Sequence, residues 1–144
     1  MFDHANQASI FVPLLVVVAL TFLAFLRLGA ARGAAMKGGV TIEYYRAHIG
    51  PGEPEAVAAA GRHYNNLFEM PVLFYAACIT AFVLATVNFW VLLLAWGYVA
   101  GRLIQSAIHL TYNNPLHRGY GFSFAVLCLL ALWVNLALVI FAKL

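Results

Sequence analysis

Three polar side chains share one face of a predicted helix in an otherwise apolar part of the chain. Arg62, Asn66 and Glu69 are separated by four and three residues, which places them one above another on a helix. A guanidinium, an amide and a carboxylate on one face offer both donors and acceptors to a polar ligand.

A second polar stripe follows farther along the chain. Its members recur at steps of four, three, four and three, as on one face of a helix, and are Tyr98, Arg102, Gln105, His109 and Tyr112. Where the two stripes meet, their charged, amide and hydroxyl groups predict a pocket for a polar, anionic ligand.

The same residues allow a purely structural interpretation. Arg62 and Glu69 can pair with each other, and polar side chains often hold membrane helices together. Arg102 fits this interpretation less well, because a charge deep in a membrane requires a partner. No metal site is predicted, because no histidine pair has the i, i+4 spacing of a helical zinc site and the region has no cysteine ligands.

The composition of the chain indicates that the helices carrying these stripes belong to a membrane protein. Of the 144 residues, 65% are hydrophobic and 9% are charged, whereas about a quarter of the residues in soluble proteins are charged. Such a chain can neither cover a soluble globule with charges nor remain disordered. Its 8 basic residues are spread along the sequence, which argues against nucleic-acid binding.

Several apolar stretches are long enough to cross a lipid bilayer, which takes about 20 residues in a helix. The uncharged segment 70–101 is too long for one crossing, so we divide it at the turn residue Asn88. The sequence predicts an all-α, integral membrane four-helix bundle in a single domain, 1–144. Its spans lie at about 7–28, 62–87, 89–112 and 119–142, with a loop at about 29–53.

Basic residues predict the orientation of these spans. The loops between spans one and two and between spans three and four contain Arg27, Arg32, Lys37, Arg46, Arg62 and Arg118. By the positive-inside rule, both loops face the cytoplasm of the cell membrane and both termini lie outside. Glu69 lies about 28 Å along a helix from Asn88, so the predicted site faces the cytoplasm.

The segment around the first stripe resembles the MAPEG family, the membrane-associated proteins in eicosanoid and glutathione metabolism. Its sequence is GRHYNNLFEMPVLFY (61–75), and the family pattern is Arg-x-x-x-Asn-x-x-Glu followed by proline and apolar residues. A second segment, GRLIQSAIHLTYNNPLHRGYGF (101–122), is similar to the end of helix three and the next loop in bacterial members. The resemblance implies a homotrimer that binds glutathione, as co-substrate, between subunits.

The resemblance also implies roles for individual residues. Arg62, Asn66 and Glu69 match the family residues that hold glutathione. Arg118 is the best match to the arginine that stabilises the glutathione thiolate. The expected ligand-binding set is completed by Arg102, Gln105, His109 and Tyr112.

Some positions depart from the family pattern. Gln105 and His109 stand where well-studied eukaryotic members have tyrosines, and Met70 also replaces a tyrosine. His109 or Tyr112 is then a second candidate donor to the thiolate. These departures leave glutathione binding better supported than catalysis.

Three functions follow as hypotheses. The first is a glutathione-dependent transferase or peroxidase in which an arginine-stabilised thiolate attacks a lipophilic electrophile or hydroperoxide. The second is a non-catalytic membrane protein of the same fold that binds a lipid or a glutathione-like ligand. The third is a small exporter in which Glu69 exchanges protons, although Arg62 on the same face favours an ionised Glu69.

Overall fold

A computed structural model describes residues 6–144, and it is helical throughout its regular elements. Residues 1–5, which belong to the predicted outer end of the chain, lie outside the described residues. A short 3-10 helix, Gln7–Ile10, leads into six α-helices. These are α1 Phe11–Lys37, α2 Ile42–Ala47, α3 Glu55–Asn66, α4 Met70–Val83, α5 Phe89–Leu110 and α6 Pro115–Phe141.

Four helical segments are long and apolar enough to cross a membrane: 7–37, 55–83, 89–110 and 115–141. The predicted all-α architecture with several membrane-crossing helices is therefore confirmed. Asn88 lies in the turn between the second and third segments, where its side chain caps α5 by accepting a hydrogen bond from Val91 N at 3.1 Å.

The first helix continues well beyond residue 28, where the sequence analysis ended the first span. The added turns are rich in alanine, the residue with the highest helix propensity. Their buried Ala35 packs with Val40 and Val57 in a small apolar cluster. The predicted loop at 29–53 therefore contains the end of α1 and the short helix α2.

The second membrane-crossing segment is interrupted, whereas the sequence predicts one continuous span at about 62–87. α3 ends at Asn66, and α4 starts at Met70 and ends at Val83, short of residue 87. Pro71 accounts for the interruption, because a proline has no N–H to donate and its ring clashes with the carbonyl four residues earlier. The interruption at 67–69 exposes backbone groups beside α5.

The third and fourth spans pack closely because small residues face each other. A Cβ atom added at Gly101 would lie 2.8 Å from the carbonyl oxygen of Gly121 and 2.9 Å from the Cβ of Ala125. Such contacts allow two helix backbones to approach each other. The pairing fixes α5, and with it the second polar stripe, against the first turns of α6.

Candidate functional site

Polar side chains converge where the second span is interrupted. Asn66, the last residue of α3, accepts hydrogen bonds at Oδ1 from Arg102 Nη1 at 2.9 Å and from Gln105 Nε2 at 3.2 Å. Its Nδ2 donates to Glu69 Oε2 at 3.1 Å. One amide thus connects the two predicted stripes, and both of its ends have protein partners.

Arg102 caps the end of α3. It is 1% exposed, and its Nη2 donates to the backbone oxygen of Asn66 at 3.0 Å. The last carbonyls of a helix have no partner within that helix, so this bond satisfies a group that the interruption releases. The guanidinium also lies 5.9 Å from the centre of the Phe122 ring.

Three further polar residues meet beside this network. Arg118 Nη1 donates to Asn113 Oδ1 at 2.9 Å and lies 3.4 Å from His109 Nδ1. His109 Nε2 lies 3.1 Å from the backbone oxygen of Ala59. Arg118 is half-buried in the first turn of α6, a helix that Asn114 caps. The guanidinium is therefore held at the junction of α3, α5 and α6.

A cavity of about 250 Å³ lies between the Asn66 network and Arg118, lined by Asn66, Gln105, Pro115, Arg118, Gly119 and Phe122. Gln105 is 5% exposed, and its Oε1 has no hydrogen-bond partner. No hydrogen bond within residues 6–144 engages Nη2 or Nε of Arg118. The cavity therefore offers a ligand the positive charge of Arg118.

Two other cavities adjoin the site. One, of about 420 Å³, is polar and is lined by residues that include Arg27, Glu55, His109 and Asn113. The second, of about 370 Å³, is apolar and lies between α1 and the interrupted span, with Phe22, Tyr64, Phe68 and Tyr75 among its lining residues.

The structure brings together six of the eight residues predicted for the site: Asn66, Glu69, Arg102, Gln105, His109 and Arg118. Tyr112 does not join them. It lies beyond the end of α5, is exposed, and has His117 Nδ1 at 3.1 Å from its hydroxyl. The helical stripe fails at this residue because the helix ends at Leu110.

Arg62 is exposed, and it forms no ion pair with Glu69. Across the described part of the chain, the one ion pair is Arg32–Glu53, with 3.2 Å between Nε and Oε1. The structural alternative in which Arg62 and Glu69 pair is therefore wrong for this chain, since Asn66 is the residue that bonds Glu69.

Two residues near the site were missed by the sequence analysis. The sequence around Asn113 is typical of a turn, and nothing in it indicates that Asn113 accepts a hydrogen bond from Arg118. His63 is 2% exposed, and its ring centre lies 5.0 Å from that of His109. The buried residues Ala60 and Leu67 lie three before and four after it, a spacing that could have placed His63 on the inner face. Among residues 6–144 no three potential ligands are placed to hold a metal ion.

The fold and the site define a class of protein: an all-α membrane protein with four membrane-crossing helices and a polar cluster where one of them is interrupted. The sequence model of the MAPEG family matches residues 10–138, nearly the whole chain. The chain therefore belongs to the MAPEG family. A comparison with curated proteins gives no match that would add a more specific relative.

Proposed function

We propose that the protein binds glutathione in the 250 Å³ cavity and activates its thiol for attack on lipophilic electrophiles or hydroperoxides. The observation that carries this proposal is the state of Arg118. Its Nη1 is bound to Asn113 and lies beside His109, and Nη2 and Nε have no protein partner in the described chain. No carboxylate within residues 6–144 neutralises this cation.

A guanidinium in this state favours thiolate formation. A free thiol has a pKa of about 8.5 and is mostly protonated at neutral pH, whereas a neighbouring arginine stabilises the thiolate. The thiol proton passes to water. The sulfur then forms a bond to an electrophilic carbon as the leaving group departs, or it attacks a hydroperoxide and releases an alcohol. In the second case, another glutathione completes the reduction and gives a disulfide and water.

Other parts of the site suit a peptide ligand and an apolar second substrate. The side-chain amides of Asn66 and Gln105 line the cavity and suit the polar groups of a peptide ligand. The apolar cavity of about 370 Å³ beside Phe22 and Tyr75 suits a lipophilic second substrate. Membership of the MAPEG family supports a role linked to glutathione or lipids.

We further propose a homotrimer in the cell membrane, with the site facing the cytoplasm and both termini outside. Arg62 and Glu69 are exposed on the interrupted segment 55–83, which is apolar enough to cross a membrane, where charged groups are costly to leave against lipid. A neighbouring copy would cover them. Native mass spectrometry should give three copies of the 15.8 kDa chain, and a monomer in every mild detergent would contradict this assembly.

The test of the catalytic proposal is Arg118→Ala. Removing the cation should lower glutathione-dependent turnover by about 100-fold, as the loss of one stabilising donor does in other enzymes. Arg46→Ala is the matched control, because Arg46 is an exposed arginine on α2 with no hydrogen bond to its side chain in residues 6–144. Unchanged turnover in Arg118→Ala would remove Arg118 from the mechanism.

One observation favours a second function, binding of a lipid or glutathione-like ligand without catalysis. The amide of Asn66, which the family pattern assigns to ligand binding, already has protein partners at both ends, with Arg102 and Gln105 at Oδ1 and Glu69 at Nδ2. These residues then serve to hold the interrupted helix. Measurable glutathione binding without turnover across a broad panel of electrophiles and hydroperoxides would select this function.

A further inference from the structure

We propose that His109 and Asn113 are positioning residues that hold Arg118 in the orientation that stabilises an anion in the 250 Å³ cavity. The inference rests on the proposed function and adds two residues to it. Neither residue is needed to touch the ligand. Each acts on the ligand through the guanidinium of Arg118.

The hydrogen bonds of the Arg118 guanidinium support this positioning role. An arginine carries two hydrogens on Nη1, two on Nη2 and one on Nε, and it has no acceptor. Asn113 Oδ1 at 2.9 Å and His109 Nδ1 at 3.4 Å occupy the two hydrogens of Nη1. The remaining N–H groups, on Nη2 and Nε, stay available to the cavity that Arg118 lines.

One protonation state of His109 satisfies both of its contacts. Because Arg118 can only donate, His109 Nδ1 must carry a lone pair. The proton then lies on Nε2, which donates to the backbone oxygen of Ala59 at 3.1 Å. This imidazole, 7% exposed, has no N–H left for a thiolate. His109 is thus an acceptor for Arg118, which replaces its predicted role as a second donor to the thiolate.

The two acceptors come from different elements. His109 belongs to α5, and Asn113 follows it in the turn before α6, with a φ of 48°. Asparagine tolerates this left-handed conformation better than most residues. Two fixed acceptors restrict a flexible side chain, which otherwise loses rotamer entropy when a ligand immobilises it.

The first experiment compares His109→Gln with His109→Asn. The amide of glutamine overlies Nε2 of histidine, so His109→Gln keeps a partner for Ala59 but loses the acceptor for Arg118. The amide of asparagine overlies Nδ1, so His109→Asn keeps that acceptor. Ultraviolet absorption of bound glutathione measures the thiolate fraction, and the ratio of affinities for glutathione sulfonate and S-methyl glutathione measures the preference for an anion.

We expect His109→Gln to lower both readouts about tenfold, the effect of weakening one charge-assisted hydrogen bond. His109→Asn should retain most of both. Equal losses in the two variants, or wild-type values in His109→Gln, would overturn the role of His109.

The second experiment compares Asn113→Ala with Asn113→Asp. A carboxylate at 113 keeps an acceptor for Nη1 but neutralises the guanidinium, so Asn113→Asp should lose more of the anion preference than Asn113→Ala. Asn113→Ala removes this acceptor and should itself lower the anion preference about tenfold. Wild-type values in Asn113→Ala would overturn the role of Asn113.

Arg118→Ala separates this inference from the proposed function. If Arg118→Ala leaves the thiolate signal and the anion preference unchanged, the proposed function itself fails. If Arg118→Ala removes both while the His109 and Asn113 variants behave as wild type, the proposed function stands and the positioning roles are wrong.

Discussion

Arg102 is the most deeply buried charge among the described residues, yet its partners are an amide and a backbone carbonyl rather than a carboxylate. The sequence predicts its burial, because an arginine deep in an apolar helix must face inward. The interruption of the second span supplies its partners. A residue that resembles a ligand-binding cation thus holds a helix end.

Replacement of Arg102 by leucine tests this role. Arg102→Leu leaves the backbone oxygen of Asn66 without its donor and removes one of the two donors to Asn66 Oδ1, which should lower the free energy of unfolding by about 2 kcal/mol. Thermal unfolding in detergent measures the change. Arg46→Leu is the control, because Arg46 is exposed on α2 with no hydrogen bond to its side chain in residues 6–144 and should change the stability by less than about 0.5 kcal/mol. Equal melting temperatures for the two variants would contradict the capping role.

At the residue scale, the sequence predicts which side chains gather but not how they pair. The i, i+4 and i, i+3 steps place Arg102, Gln105 and His109 on one buried face, as the structure has them. The bond between Arg118 and Asn113 depends on the turn after α5, whose conformation no local pattern specifies. For the same reason, the sequence places Tyr112 on the helical stripe, although α5 ends at Leu110.

Helices α5 and α6 form the closest pair of elements at the site, and glycines make this approach possible. Gly101 faces Gly121 and Ala125, so the second stripe and Arg118 lie on two helices whose separation is fixed by backbone contact. Displacing one helix would move His109 relative to Arg118.

Gly101→Ala tests the closeness of this pair. The added Cβ would approach the Gly121 carbonyl oxygen to 2.8 Å, so overpacking should cost about 1–3 kcal/mol of stability. Gly29→Ala is the matched control, because a Cβ at this helical glycine meets no atom within 4 Å. The control should stabilise the protein by up to about 1 kcal/mol through helix propensity. A stabilising Gly101→Ala would show that α5 and α6 lie farther apart than described.

Long apolar runs predict the helices well, because a membrane leaves few alternatives for a backbone that must satisfy its own hydrogen bonds. Two features escape this argument. The predicted span at 62–87 includes Pro71, where the structure has a helix break, and the predicted loop at 29–53 includes the alanine-rich end of α1. In both cases a single residue type, proline or alanine, changes the extent of a helix more than hydropathy does.

For the whole molecule, the proposed orientation depends on the basic residues of the segments that join spans one and two and spans three and four. Lys37, at the end of α1, and Lys143, after α6, should lie on opposite sides of the membrane. The basic end of α1 is the same end at which the polar cluster lies, so the orientation also decides whether the site meets cytoplasmic glutathione.

Cysteine labelling tests this orientation. In intact cells, an impermeant thiol reagent should label Lys143→Cys and leave Lys37→Cys unlabelled until the membrane is opened. The unsubstituted chain is the control, because Cys78 is buried and Cys128 is half-buried within membrane-crossing helices. Labelling of Lys37→Cys from outside would reverse the assignment.

We propose that this chain holds glutathione as a thiolate beside Arg118. Glutathione binding to the detergent-purified protein is the first measurement to make. The ultraviolet absorption of the thiolate is followed as glutathione is added, with S-methyl glutathione as the control that cannot ionise. We predict saturable binding with a thiolate signal for glutathione alone. Binding without that signal would contradict thiol activation, and the absence of binding would contradict the glutathione site itself.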